Sequence, residues 1–566
     1  MSPTGVPARN RLLKLQRRLA EEARREIERS IDDPSGSLQR WRDTYEQATL
    51  GKLEPITIEE VAEHASGCNV VHFGDYHSLR ESQKGPLRVI EKLIEMGKKV
   101  VLCTEAFHID AQKSLDRWNR EEIDDETLRI ESGWDQRWGF PWRNYALQLD
   151  FFRERGLPIL ALNSEPDVVG NSFDAREKIA AMRLVEAINE YEGAILAVIF
   201  GDLHVAPAHL PAQLMRVASR SGFGSPSQCT IFQNIDRVYW ELAERGQEQQ
   251  VQAVRIGKDR FCMINTTPLV KFQSYLNWQF NEQELEESTG VLNLPSISST
   301  IMTDQIWMII ETITEYLGIS AQGLDDFTVH TGRDLDLIDR LKRQHKLDEF
   351  EMELVKSQLE REESCYLPRV QVIVLGNLSI RHASEEATHH MNFVMCKDKG
   401  SIENPIDWFY ENALREAIGY LGTKIIDHKR TCLDVKELES LADRFRGRRL
   451  DPLMAATRQS VRDSLQHIYA EIDWLEGRGK RPTFRALAYR DPDVIAGTTH
   501  ALGYRLGDNI YRNLVNGKLR RIQLKELFGT SLRGAGKSRE VWFDWTRLSH
   551  DPESDSSPSS GNSRRG

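Results

Sequence analysis

Val70-Val71-His72-Phe73-Gly74-Asp75-Tyr76-His77 opens with apolar residues, passes through a glycine and ends on ionisable side chains. Such a stretch reads as a buried strand whose exit aims polar groups past its C-terminal end. The pattern returns at Ile195 to His204, where Leu196-Ala197-Val198-Ile199-Phe200 leads into Gly201-Asp202-Leu203-His204. Between the two, Val100-Val101-Leu102-Cys103-Thr104 runs into Glu105, and Leu157 to Leu162 runs into Asn163. Helical spacing fills the gaps: Leu87, Ile90, Leu93 and Ile94 share one face before Gly97, and a helix is expected from Asp174 to Tyr191. Strands alternating with helices of this length predict an α/β domain, a mostly parallel sheet with helices on both faces. Ligands of such sheets bind beyond the strand C-termini, so His77, Glu105, Asn163 and His204 are expected to converge there.

The rest of the chain bounds this picture. With 566 residues there is room for more than one domain. The formal net charge of -11 argues against a general nucleic-acid binder. Seven cysteines lie far apart with no Cys-x-x-Cys pair, which suits a reducing compartment better than a disulfide framework. Leu12, Leu13, Leu15 and Leu19 are interrupted by Arg and Lys, unlike a signal peptide, and no apolar run is long enough to span a bilayer. A cytoplasmic protein is expected. The predicted divisions are a charged N-terminal helix and linker at 1–54, the α/β domain at 55–285, a mainly α-helical domain at 300–550 and a disordered tail at 551–566 rich in Ser, Pro and Gly. A loop is expected from Gly290 to Thr300. Helical spacing is read over Leu367–His390, Pro405–His428, Pro452–Leu475 and Asp491–Leu514.

The residues collected so far are similar to the haem-binding uptake/Tiki superfamily, and within it to the ChaN-like branch. That superfamily is marked by two Gly-x-x-His motifs, each after a strand, with a glutamate between them; here they are Gly74 to His77, Glu105 and Gly201 to His204. Further echoes are Glu105-Ala106-Phe107, Trp142 with Tyr145, Asp174-Ala175-Arg176-Glu177, and Pro207 to Pro211 after the second histidine. The resemblance covers about residues 55–270. The first motif often carries Glu where Asp75 stands, one methylene shorter. ChaN-like proteins are frequently exported lipoproteins, and this chain shows no lipobox.

The resemblance implies a haem- or metal-binding protein, with His77 and His204 as ligands and Glu105 in support. The residues alone permit the same cofactors: two imidazoles and a carboxylate suit a divalent metal ion or haem iron. They also suit a metal-dependent hydrolase with Glu105 as general base and His77 or His204 as its partner, and other branches of the superfamily include a protease and an esterase. A third reading is a non-catalytic scaffold whose helical half binds a partner. Tyr76 is a candidate haem ligand through its phenolate, or a packing residue. Trp134, Trp138, Phe140, Trp142 and Tyr145 either wall a flat ligand, with Trp142 and Tyr145 as cofactor contacts, or form satellite core under a long loop. Expected partners are haem or another small molecule and, as an option, a second copy of the chain.

In the helical half, His382, Glu386 and His390 recur every four residues, with Glu385 and His389 on a neighbouring line. With His500 from another helix they form a second, weaker metal candidate; the plain alternative is a polar helix stripe. Ser531-Leu-Arg-Gly534-Ala-Gly536-Lys537-Ser538 lacks the first glycine of a phosphate loop and follows a helical pattern, so it is not read as one.

Overall fold

The computed structural model describes residues 5–31, 36–164, 173–222, 224–287, 297–331, 341–347, 349–376, 379–396, 404–445, 452–482 and 490–550. The chain divides into two compact units, one of residues 20–278 and one of residues 1–19 with 279–566. The expected tail at 551–566 lies outside the described residues, as do positions 290–296 of the expected loop. No helix among the described residues is long and apolar enough to cross a membrane.

The first unit is built on an eight-stranded sheet. Its strands are β1 (Glu54–Ile56), β2 (Val70–Asp75), β3 (Val100–His108), β4 (Ile159–Asn163), β5 (Ile195–Gly201), β6 (Gln228–Gln233), β7 (Ala253–Gly257) and β8 (Arg260–Met263). They lie in the order β1-β7-β8-β6-β2-β5-β3-β4. From β8 to β4 every pairing is parallel, while β7 pairs antiparallel with β8 and β1 with β7. The antiparallel edge was not expected. β1 is only three residues long and β7 is joined to β8 by a tight hairpin, so neither gives a long apolar run.

Strands β2, β3, β4 and β5 are buried along their whole length, as the continuous apolar runs of a two-sided parallel sheet require. Phe73, Leu102, Ala161 and Ile199 share a core with Ile90 and Leu93 of the helix Arg80–Glu95 and with Leu149 and Phe152 of the helix Trp142–Arg153. Neighbouring β2 and β5 are in register so that Gly74 faces Phe200 and Asp75 faces Gly201. The two Gly-Asp-x-His motifs, far apart in sequence, therefore leave the sheet side by side. The helix after β2 begins at Arg80, ahead of the apolar face that opens at Leu87, and carries Pro86 in its interior. Its early start has a local cause: the Gln83 amide donates to Asp75 Oδ1 and, at 3.4 Å, to the His77 carbonyl.

The second unit is mainly helical, as expected, but it also holds a small sheet of β9 (Thr328–Thr331), β10 (Ser364–Leu367) and β11 (Val372–Leu375) in the order β10-β11-β9. This corrects the helical reading of Leu367–His390: Val372-Ile373-Val374-Leu375 is a β-branched run that pairs on both sides, and the helix starts at Ile380. Ile297 to Thr300, read as loop, open the helix Ile297–Leu317.

Candidate functional site

The strand ends open into a cavity of about 1170 Å³ lined by His77, Glu105, Asn163 and His204 among others. The four residues expected to converge are thus brought to one place. The glycines act by leaving room and not by a left-handed backbone: neither Gly74 nor Gly201 has a positive φ. A Cβ on Gly201 would sit 3.2 Å from His77 Nε2 and 3.3 Å from Glu105 Oε2, and one on Gly74 would collide with Asp202 Oδ1.

Each histidine is held by its inner nitrogen. His77 Nδ1 lies 2.9 Å from Asp75 Oδ2, which also accepts from the Tyr145 hydroxyl at 2.9 Å. The short Asp75 side chain therefore reaches its histidine. His204 Nδ1 lies 2.9 Å from Glu177 Oε1, a fully buried carboxyl on the helix Phe173–Glu190. The duplicated motifs are not equivalent, because Asp202 is not the residue that orients His204; its Oδ1 is buried without a hydrogen-bond partner. In both cases Nδ1 is committed and Nε2 is the nitrogen left for a ligand.

Glu105 is fully engaged. Oε1 takes the guanidinium of Arg176, Oε2 accepts the Gly201 N–H at 2.6 Å, and His77 Nε2 stands 3.8 Å from Oε2. Arg176 also donates to Asn163 Oδ1 at 3.2 Å. Burial pushes the Glu105 carboxyl upward, but Arg176, His77, His204 and the Gly201 amide outweigh it and hold it below the usual carboxylate range. Glu177 goes the other way: burial, with Asp174 and Glu105 nearby, pushes it up to about 9. Burial lowers His204 to about 4, whereas for His77 the hydrogen bond and charge of Asp75, with Glu105 and Asp202, overcome burial and raise it.

The walls are aromatic. His77 rests edge-on against Trp138 at 4.6 Å and beside Phe140 at 4.9 Å between ring centres. His204 meets Trp41 at 5.1 Å and Phe173 at 5.5 Å. Trp41 belongs to the helix Ser37–Ala48, read from sequence as linker; it and Tyr45 line the cavity, with Arg24 and Ile27 from the preceding helix. Arg176, Glu177, Trp41 and Gln83 were all missed as site residues. The Asp174-to-Glu177 echo holds two of them, Arg176 and Glu177.

Other candidates land elsewhere. Tyr76 lines the cavity, but burial holds its phenol well above the ordinary range, so it is not a phenolate near neutrality. Trp142 is not a cavity residue; it packs against Trp134 and Phe107, with its indole N–H directed to Asp125. Tyr145 lies behind His77 and positions Asp75. In the second unit, His390 is structural: Nδ1 is 3.1 Å from the Tyr366 hydroxyl and Nε2 is 3.1 Å from the Leu324 carbonyl. Glu386 turns to Ser364 and His389, and His500 lies between Glu362 and Glu416. His382 is not in the group of ligand atoms that come together there.

Residues 61–178 match the family described as haem-binding uptake, Tiki superfamily, ChaN. This segment is ChaN-like. The match spans the first Gly-x-x-His motif, Glu105, Arg176 and Glu177, and stops short of the second motif. A solved structure described as cofacial heme binding to ChaN of Campylobacter jejuni is similar at 12% identity, covering 32% of this chain and 88% of that one with a TM-score of 0.26, too slight a likeness to argue from. No curated protein matches the chain.

The buried Glu177 carboxyl makes the stability of the first unit depend on pH. Its folded pKa lies above its unfolded one, so its contribution to stability is intact below about 4.5 and is lost as pH rises toward about 9. Glu177→Gln, neutral at every pH, should melt close to the parent at pH 4.5 and progressively above it toward pH 9. Paired thermal melts across that range check this; a difference that shrinks with rising pH would refute the assignment.

Proposed function

We propose that this protein binds haem in the cavity at the strand C-termini, with Nε2 of His77 and Nε2 of His204 as the iron-ligating nitrogens. What supports this is the pair of carboxyl groups that stand behind the two rings. Each imidazole is fixed through Nδ1 by a buried carboxyl group, Asp75 for one and Glu177 for the other. That arrangement sets ring orientation and leaves the outer nitrogen for a metal. Membership of the matched segment in a haem-binding family supports the same ligand.

The rest of the cavity suits a large flat anion-bearing ring. Its volume exceeds the range of about 300–1,000 Å³ typical of small-molecule pockets. Trp41, Trp138, Phe140 and Phe173 offer faces and edges to an apolar macrocycle, and Arg42 at the lining offers a cation to its carboxylates. Haem bound here would supply an iron that His77 Nε2 and His204 Nε2 would hold. Arg176 and Glu105 then serve to lock β3, β4 and β5 around it.

Two alternatives draw less support. For a bare ion, the only group among the described residues with three ligand atoms within 4.8 Å of one another lies in the second unit, not at His77, Glu105 and His204. For a hydrolase, a general base needs a free oxygen and a pKa near the working pH, whereas both Glu105 oxygens are committed and its pKa is depressed. Adding hemin to the intact protein should give a saturable Soret shift. A Soret band that stays at the position of free hemin through the titration would sink the proposal.

A further inference from the structure

The second unit contains a polar cluster that the haem reading leaves unused. The helix Ile380–Cys396 supplies Glu385, Glu386 and His389; the helix Pro405–Ile426 supplies Glu416; the helix Pro492–Val515 supplies His500 and Tyr504. One ligand-type atom from each of Glu385, His389 and Glu416 lies within 4.8 Å of the other two.

The surroundings are arranged as those of a metal-binding imidazole are. His389 Nδ1 lies 3.1 Å from Glu386 Oε2, so a carboxylate fixes the ring and its tautomer. His389 Nε2 is shut off from solvent and has no hydrogen-bond partner. A buried polar atom in that state marks strain, a catalytic role, an ordered water or an ion, and the geometry around this one favours the last. Space for this nitrogen has been cleared, since a Cβ on Gly419 would collide with it. Gly503 does the same for Glu416, because a Cβ there would run into the Glu416 side chain and the Ala413 carbonyl.

The carboxylates are positioned as well. Glu385 accepts the Tyr504 hydroxyl at 2.5 Å on one oxygen and Arg430 at 2.8 Å on the other. His500 Nδ1 stands 3.2 Å from Glu416 Oε2, and its Nε2 stands 3.2 Å from Glu362 Oε2. Four carboxyl groups thus crowd one place with Arg430 as the permanent cation among these contacts. Glu385 and Glu386 are buried, while Glu416 and His500 keep about a quarter of their side chains exposed, which gives an ion a way in.

We propose that Glu385, His389 and Glu416 bind a first-row divalent metal ion, with Glu386 orienting His389 and His500 orienting Glu416. One imidazole with two carboxylates is a donor set of borderline hardness, suited to Mn²⁺, Fe²⁺, Co²⁺ or Zn²⁺ more than to Ca²⁺ or Mg²⁺. Three protein ligands leave further positions for water or a substrate oxygen.

Co²⁺ is the probe, because its visible d–d absorption reports imidazole and carboxylate ligation directly. Titrating chelator-stripped full-length protein should give a saturable absorption band. His389→Ala and the size-conserving Glu416→Gln should each weaken that binding at least tenfold while the far-ultraviolet circular dichroism is retained. If His389→Ala does not fold, Glu416→Gln decides alone. Absence of a saturable band in the parent protein, or an unchanged isotherm in folded Glu416→Gln, overturns the proposal.

Discussion

Glu105→Ala is expected to destabilise the first unit by about 3 kcal/mol, the low end of what breaking a buried ion pair costs, since Arg176 keeps some exposure. Two groups lose their partner at once: the Arg176 guanidinium and the Gly201 N–H. Both belong to the wall that joins β3, β4 and β5, so the loss reaches the histidine pocket as well as the fold. For a unit of this size the melting temperature should fall by about 6–12 °C. Glu105→Gln keeps an acceptor for Gly201 and removes the charge, and should fall between the parent and the alanine variant. Calorimetry on the intact chain reads this as a downward shift of the endotherm that hemin stabilises. A shift confined to an endotherm insensitive to hemin would place Glu105 outside this role.

Asp75→Asn should lower hemin affinity about 10–100-fold, the usual cost of losing the carboxylate that holds a metal-binding histidine by its other nitrogen. The carboxylate serves three donors: His77 Nδ1, the Tyr145 hydroxyl and the Gln83 amide. Asparagine matches the shape, yet it must point an N–H₂ group at one of those donors. Either His77 loses its anchor or Gln83 loses its acceptor, and a buried donor left unpaired costs about 1–3 kcal/mol. Tyr145→Phe removes only the hydroxyl and should cost less. Equal hemin affinity in the parent and Asp75→Asn, measured by equilibrium titration, would show that Nδ1 anchoring does not matter.

The parts of this site that sequence made legible are those where one short stretch carries both halves of the signal. An apolar run says buried strand, and Gly-Asp-x-His or Glu at its end says that chemistry follows. His77, Glu105, Asn163 and His204 were found that way, and the parallel sheet with them. The residues that were not legible act across the fold. Glu177 reaches His204 from another element, and in sequence it is one of several charged residues opening a helix. Trp41 lies ahead of the first recognisable strand and looks like part of a linker, yet its ring is 5.1 Å from that of His204. The glycines were rightly singled out for a reason that proved different: Gly201 clears space for His77 and Glu105, a steric demand that only the three-dimensional neighbours reveal. In the helical unit His382, Glu386 and His390 recur every four residues, but they do not come together as a ligand set. His390 is occupied by Leu324 and Tyr366, while Glu385 and His389 face Glu416.

If His77 and His204 both hold haem iron, as proposed, the spin state of the ferric complex will report it. Hemin bound to the parent protein should show a low-spin electron paramagnetic resonance spectrum, as two imidazole ligands impose. His77→Ala and His204→Ala should each convert it to high spin or lose hemin altogether. A parent complex that is high spin, or a low-spin signal unchanged in both variants, would rule out paired ligation by His77 and His204.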